Sequence, residues 1–400
     1  MLQLRGTLCA KSFIVALAAL AATASFAQST VTLYGVVDTG YRSVESGTNK
    51  FAGMANGNNA TSRLGFKGTE DLGAGLKANF VIEGELSPSD GTAAGLSFKR
   101  QNTVGLAGNF GEVRLGRDYT PAFRVFGIVD PFGTVGVGSA GNIMWSTVAH
   151  NSGATSTGTN GTFATKADQV LAAGATGPAS VTSSRTTFAE PNLIRANNSF
   201  AYYSPDFMGV KAALMYSAGA QNTYSLKNTG EMTGLSLTYA NGPLTAAFAN
   251  QVTKGGTTQT ATVTGTDNQK ATTNFLAGSY DFGKAKVGLG YRTEALAGYA
   301  ASDYKTKSTI YSVSAPVGAV TLKASFIDKK ADLGAGAGSV DAGTQTSVGA
   351  VYDLSKRTAL YATYAEIKNE AGFANSVGSA AASAGGVKSK GYDIGVRHSF

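Results

Sequence analysis

One pattern dominates the chain beyond residue 30: apolar and polar residues alternate with a period of two. Val210, Ala212, Leu214 and Tyr216 occupy one side of a segment whose other side is Lys211, Ala213, Met215 and Ser217. The alternation returns at Leu64/Phe66, Leu235/Leu237/Tyr239, Val287/Leu289/Tyr291, Val320/Leu322/Ala324/Phe326, Val348/Ala350/Tyr352/Leu354 and Tyr392/Ile394/Val396/His398/Phe400. Side chains of an extended strand point to opposite faces in turn, so each segment is a two-faced strand. The second face carries Arg63 and Lys67, Lys286 and Arg292, Lys323, Asp353, and Asp393 with Arg397. A face that is charged and small suits a water-filled interior.

Sixteen such segments lie between residues 31 and 400. Their connections alternate in length. Short ones read Asp71-Leu72-Gly73-Ala74, Gly108-Asn109-Phe110-Gly111, Asn241-Gly242, Gly283-Lys284 and Leu354-Ser355-Lys356-Arg357. Long ones, rich in Ser, Thr, Asn, Gly and Ala, fall near 45–60, 87–98, 218–230, 253–271, 329–343 and 369–387. An even strand count with short turns at one rim and long loops at the other is the layout of an outer-membrane barrel. Within lipid every backbone N–H and C=O must be paired, and a closed barrel leaves no edge. The predicted fold is all-β: a 16-stranded antiparallel transmembrane β-barrel with short periplasmic turns and long extracellular loops.

Composition decides between this and a soluble β-sandwich, which also alternates. Only 14% of residues are charged, against ~25% in soluble domains. Glycine, at 52 residues of 400, is about twice its usual share. The longest apolar run, residues 13–22, falls short of the ~18 residues of a spanning helix. It follows Arg5 and Lys11 and precedes Ser25-Phe26-Ala27, the three-part pattern of a secretory signal. Cleavage after Ala27 is expected, so residues 1–27 are a signal peptide and 28–400 a single barrel domain. Cys9 leaves with the signal, so the mature chain carries no thiol for disulfide or metal chemistry.

Six motifs in order resemble one family. Val31-Thr32-Leu33-Tyr34-Gly35 resembles its first strand, and Arg63-Leu64-Gly65-Phe66-Lys67-Gly68-Thr69-Glu70-Asp71-Leu72-Gly73 its second strand and first turn. Leu115-Gly116-Arg117-Asp118-Tyr119-Thr120-Pro121-Ala122 resembles the strand end that enters the pore-narrowing loop. Tyr203-Ser204-Pro205-Asp206-Phe207-Met208-Gly209 and Leu354-Ser355-Lys356-Arg357-Thr358-Ala359-Leu360-Tyr361-Ala362 resemble periplasmic turns. The closing Gly395-Val396-Arg397-His398-Ser399-Phe400 resembles the signal read by the barrel-assembly machinery, with Phe400 as its last residue. Together they resemble the general porins of Gram-negative outer membranes, closest to the neisserial and betaproteobacterial type.

The resemblance implies a homotrimer of water-filled channels for passive diffusion of ions and small hydrophilic solutes. It also implies an inward-folded third loop, here about 119–194, facing a basic wall. Arg63, Arg117 and Arg195 fall on that wall's positions, and the loop contributes Arg124 and Asp130-Pro131-Phe132-Gly133. Two departures stand out. Val36 occupies a position often lysine in the enteric members, and Asp130-Pro131 replaces their Pro-Glu. Asp130 is the only carboxylate between Tyr119 and Asp168. It is expected to face the arginines across the pore; an aspartate before proline also caps turns, and that reading stays open. One acid against three or four arginines predicts moderate anion selectivity, with a substrate-specific channel for an organic acid or phosphate as the alternative. Residues 150–187 read as an insertion beyond the constriction segment.

Other signals carry less. Gly136, Gly138 and Gly141 match G-x-G-x-x-G, but no strand-helix unit surrounds them. His150 and His398 are the only histidines, too few for imidazole-based metal or triad chemistry, so neither an enzyme nor a cofactor is expected. The 33 basic residues, against 25 acidic, are dispersed rather than in runs, which argues against nucleic acid. Expected partners are a second and third copy of the chain, outer-membrane lipid and lipopolysaccharide, and the assembly machinery.

Overall fold

The computed structural model describes residues 30–91, 97–145, 194–218, 230–255, 269–297, 304–332, 338–378, 380 and 382–400. The signal at 1–27, the insertion at 150–187 and His150 lie outside these residues. The described residues form one antiparallel sheet of seventeen strands. Sixteen make the wall, and β1 (Thr30–Ser46) closes it by pairing with β17 (Ser389–Ser399), from Val36 opposite Ser399 to Ser46 opposite Ser389.

The extra strand corrects one expectation. Residues 45–60 are not a plain loop: β2 (Asn49–Asn56) folds back on the upper half of β1, whose lower half pairs with β3 (Arg63–Gly73). A two-residue turn makes this possible, with Gly47 at φ +66°, a conformation costly for other residues. The small residues of Ala52-Gly53-Met54-Ala55 hide the period in sequence, and the free edge of the 17-residue β1 supplies the partner.

The remaining wall runs β4 (Leu76–Glu85), β5 (Gln101–Gly108), β6 (Gly111–Tyr119), β7 (Arg195–Tyr203), β8 (Val210–Ala218), β9 (Glu231–Asn241), β10 (Leu244–Gly255), β11 (Gln269–Asp281), β12 (Lys286–Ala297), β13 (Tyr304–Val317), β14 (Val320–Asp332), β15 (Ser339–Asp353) and β16 (Thr358–Asn369). Each strand from β3 to β17 pairs with its chain neighbour. Leu33, Val104, Leu115, Leu214, Leu276, Leu289 and Ile394 are all more than half exposed. Such a belt is unfavourable against water and favourable against acyl chains.

The hydrophobic core is not between two sheets but between the inner wall and a segment threaded into the lumen. After β6 the chain turns inward as α1 (Pro121–Phe126), with proline at the first helical position and Thr120 Oγ1 accepting from Phe123 N at 3.2 Å. A second short helix, α2 (Gly141–Met144), follows. Val125, Phe126, Val129, Val137, Ile143 and Met144 pack on Ala247, Ala249, Phe275, Ile310, Ile327 and Ile367 of the wall. Gly290 on β12 leaves the space for this. A Cβ there would sit 2.8–3.0 Å from Ile310, Phe275 and Val129.

Candidate functional site: a basic cluster beside the inward loop

Five adjacent strands, β3 to β7, run antiparallel, so Arg63, Glu83, Arg100, Tyr119 and Arg195 all lie at or near their long-loop ends. The buried Glu83 carboxylate holds the group together. Its Oε1 accepts from Arg100 Nε at 2.7 Å; its Oε2 accepts from Tyr34 OH at 3.1 Å and lies 3.8 Å from Arg63 Nη1. Tyr119 OH accepts from Arg100 Nη2 at 2.9 Å and from Arg195 Nη2 at 3.3 Å, and the Arg195 guanidinium stacks 4.7 Å above the Tyr119 ring. Three permanent cations thus surround one anion.

Arg63 and Arg195, two of the positions the resemblance implied for the basic wall, both lie in this group. Arg117 does not. It stands in register with Asn102 and two residues beyond Leu115, so the strand period turns it toward the outer face. Its Nε donates to Lys99 O and its Nη1 to Asn197 Oδ1 at 2.6 Å. The third arginine of the cluster is instead Arg100, one residue before β5 begins. Its sequence signal was weak, because it lies outside the alternating run. Glu83 was more legible, since Asn79, Val81 and Glu83 share a parity.

Asp130 also departs from its expected place. Rather than facing the arginines, its buried carboxylate accepts from Phe132 N at 3.0 Å, Thr134 N at 3.2 Å and Ala140 N at 3.1 Å. The turn-capping reading is the one realised. Burial pushes its carboxyl up to about 6, opposed by these three donors and by Lys323. Pro131 and Gly133 shape the same turn, with Gly133 at φ +68°, and Phe132 is buried against Gly138 and Gly349. Arg124 projects from α1 and pairs with Asp118 at 2.9 Å, next to Arg114 at 3.3 Å. Among the described residues, the loop therefore adds no unpaired carboxylate to the arginine group.

Tethers fix the loop across the lumen. Val137 N donates to Asp393 Oδ2 at 2.8 Å, and Asp393 is paired with Arg42 at 2.7 Å. Gln345 Nε2 donates to Ser139 O at 2.9 Å. Two buried cations meet the end of α2: Lys329 Nζ donates to Ile143 O at 2.9 Å and Arg292 Nη1 to Met144 O at 2.5 Å. At the barrel seam, Phe400 N and Gly35 N exchange hydrogen bonds with each other's carbonyls at 3.1 Å. His398 Nδ1 lies 2.9 Å from Thr358 Oγ1 at the same short-turn end of the seam.

Comparison with known proteins agrees with this architecture. Residues 15–372 match the family model described as Gram-negative porin. Outer membrane porin protein 32 of Delftia acidovorans is 36% identical over 98% of this chain and 100% of its own length. The major outer membrane protein P.IB of Neisseria lactamica is 28% identical over 98% of this chain and 100% of its own. The solved anion-selective porin from Comamonas acidovorans superposes with a TM-score of 0.73 at 30% identity, covering 93% of this chain and 100% of that one.

Proposed function

The chain belongs to the Gram-negative porin family, outer-membrane β-barrel channels, and on that premise we propose that its channel favours anions because of the Arg63, Arg100 and Arg195 group. The carrying observation is the charge balance at the narrowed lumen: among the described residues, three guanidiniums gather around one carboxylate, Glu83. In a partly desolvated passage a fixed positive wall concentrates anions and excludes cations, an effect that fades as salt rises. The loop supports this sign, because Asp130 is turned into its own backbone and Arg124 is matched by Asp118. The description of the Comamonas relative as anion-selective points the same way.

The test is a reversal potential in a potassium chloride gradient across a planar bilayer. Chloride preference is expected; clear potassium preference overturns the reading. The same reading makes residues 1–27 a cleaved leader and 28–400 one barrel that assembles as a homotrimer, with Phe400 recognised during assembly and lipopolysaccharide around the rim. Conductance steps in threes, and a heat-labile trimer band on gels, are the expected marks of that assembly.

A further inference from the structure

A second feature of the lumen lies on the other side of the constriction, toward the short turns. Between β1, β3, β4, β5 and β6 the wall forms a recess of about 400 Å³ whose lining includes Lys67, Thr32, Thr69, Asn79, Glu112 and Arg114. Strand parity places these side chains inward: Lys67 stands opposite Thr32 on one side, and Thr69 opposite Asn79 on the other. Lys67 is four residues below Arg63 on the same face of β3, about 13 Å along the strand.

The charges of the recess are already matched, with one exception. Arg114 donates to both oxygens of Glu112 at 2.8 Å and to Asp118 at 3.3 Å, so this acid and this base compensate each other. Lys67 has no carboxylate within ion-pair distance among the described residues; its ammonium lies 5.4 Å from the Tyr34 ring centroid. Beside Phe80 and Val81, the lining offers the hydroxyls of Thr32 and Thr69 and the amide of Asn79. Thr69 Oγ1 donates to Asn79 Oδ1 at 2.9 Å, and Asn79 Nδ2 donates to Glu112 Oε1 at 3.3 Å, which leaves further donor and acceptor positions on each.

We propose that this recess is a binding station for a hydroxylated monocarboxylate of the sugar-acid class, its carboxylate on Lys67 and its hydroxyls on Thr32, Thr69 and Asn79. The inference rests on the reading that the channel passes anions. A single uncompensated cation matches a single carboxylate, and a second carboxylate on the ligand would meet Glu112. An uncharged sugar forgoes the charge-assisted bond, and an alkyl acid leaves the hydroxyl rim unmatched. The Tyr34 hydroxyl, which donates to Glu83, places the station directly beside the arginine group.

The experiment follows chloride current through the purified trimer at low salt while D-gluconate, butyrate or glucose is added on the short-turn side. Gluconate is expected to reduce the current saturably and at lower concentration than butyrate, and glucose to have the weakest effect. Lys67→Gln should raise the half-blocking gluconate concentration about tenfold, the loss of one charge-assisted bond. It should keep the chloride-favouring sign of the reversal potential, since Arg63, Arg100 and Arg195 remain. Thr32→Val combined with Thr69→Val should erase the difference between gluconate and butyrate while leaving butyrate block unchanged. Unaltered gluconate block in Lys67→Gln, or equal block by gluconate and butyrate in the wild type, overturns the station. A potassium-favouring reversal potential in the wild type overturns instead the anion-selective reading beneath it.

Discussion

At the scale of single residues, the charged side chains that matter are those whose partners do not cancel them. Arg100 is buried on Glu83 and shares Tyr119 with Arg195, so removing it lowers the excess of positive charge by one. A unit charge about 10 Å from an ion in water is worth about 0.4 kcal/mol, near twofold in occupancy and of opposite sense for the two ions. Arg100→Gln should therefore cut the chloride-to-potassium permeability ratio about fourfold, read from reversal potentials. The outward Arg117→Gln should leave that ratio within measurement error, which separates the two arginines cleanly. Asp130 makes a pH prediction. Its folded carboxyl lies at about 6, above the ordinary carboxylate value, so its neutral form is favoured in the folded loop. That contribution is complete at low pH and is lost as pH rises through about 6. Hydrogen-exchange protection of the Phe132, Thr134 and Ala140 amides, corrected for intrinsic rates, should fall between pH 5 and pH 7.5 by the scale of that raised carboxyl. Asp130→Asn should abolish the pH dependence, and protection that rises with pH contradicts this account.

At the scale of elements, strands and their connections differ in how they are specified. The alternation of Leu235/Leu237/Tyr239 or Val320/Leu322/Ala324/Phe326 is a local property, and these residues lie in strands as expected. The inward segment obeys no such period. Its position comes from contacts with distant strands: Phe126 on Phe275, Val137 on Asp393, and the α2 carbonyls on Arg292 and Lys329. Lys329→Met removes the buried ammonium that donates to Ile143 O, at a cost of about 1–3 kcal/mol. The expected outcome is a noisier open-channel current and faster proteolysis of residues 119–145, with the barrel itself still folded and heat-modifiable on gels. Gly290→Val places branched carbons where Val129 and Phe275 already are. Overpacking of that kind costs about 1–3 kcal/mol, and it should change the single-channel conductance by displacing the loop. Unchanged conductance and noise in both variants contradict the assignment of the loop as the narrowing element.

At the scale of the whole molecule, a low charge content, abundant glycine and a period of two have one common cause. Lipid replaces water around the outer wall, and the inner wall is partly filled by the chain's own loop. Because the arginine excess acts on ions in an aqueous lumen, its selectivity should weaken steadily as ionic strength approaches the molar range, where the screening length falls to about 3 Å. Selectivity measured at fixed gradient ratio and rising mean salt checks this; a salt-independent ratio points to a dry, size-based filter instead. Family resemblance named Arg63 and Arg195; sequence alone determined the class of fold, the two faces of each strand and the short turns at one rim. All of these follow from interactions between residues close in the chain. Only the tertiary structure decided which charges meet. Arg100 joins Arg63 and Arg195 because three non-adjacent strands end at one height around Glu83, while Arg117 misses by half a period. Asp130 turned away from the pore because three local N–H groups were nearer than any arginine. Strand period fixes a side chain's face; height, loop path and the nearest partner depend on how the barrel closes.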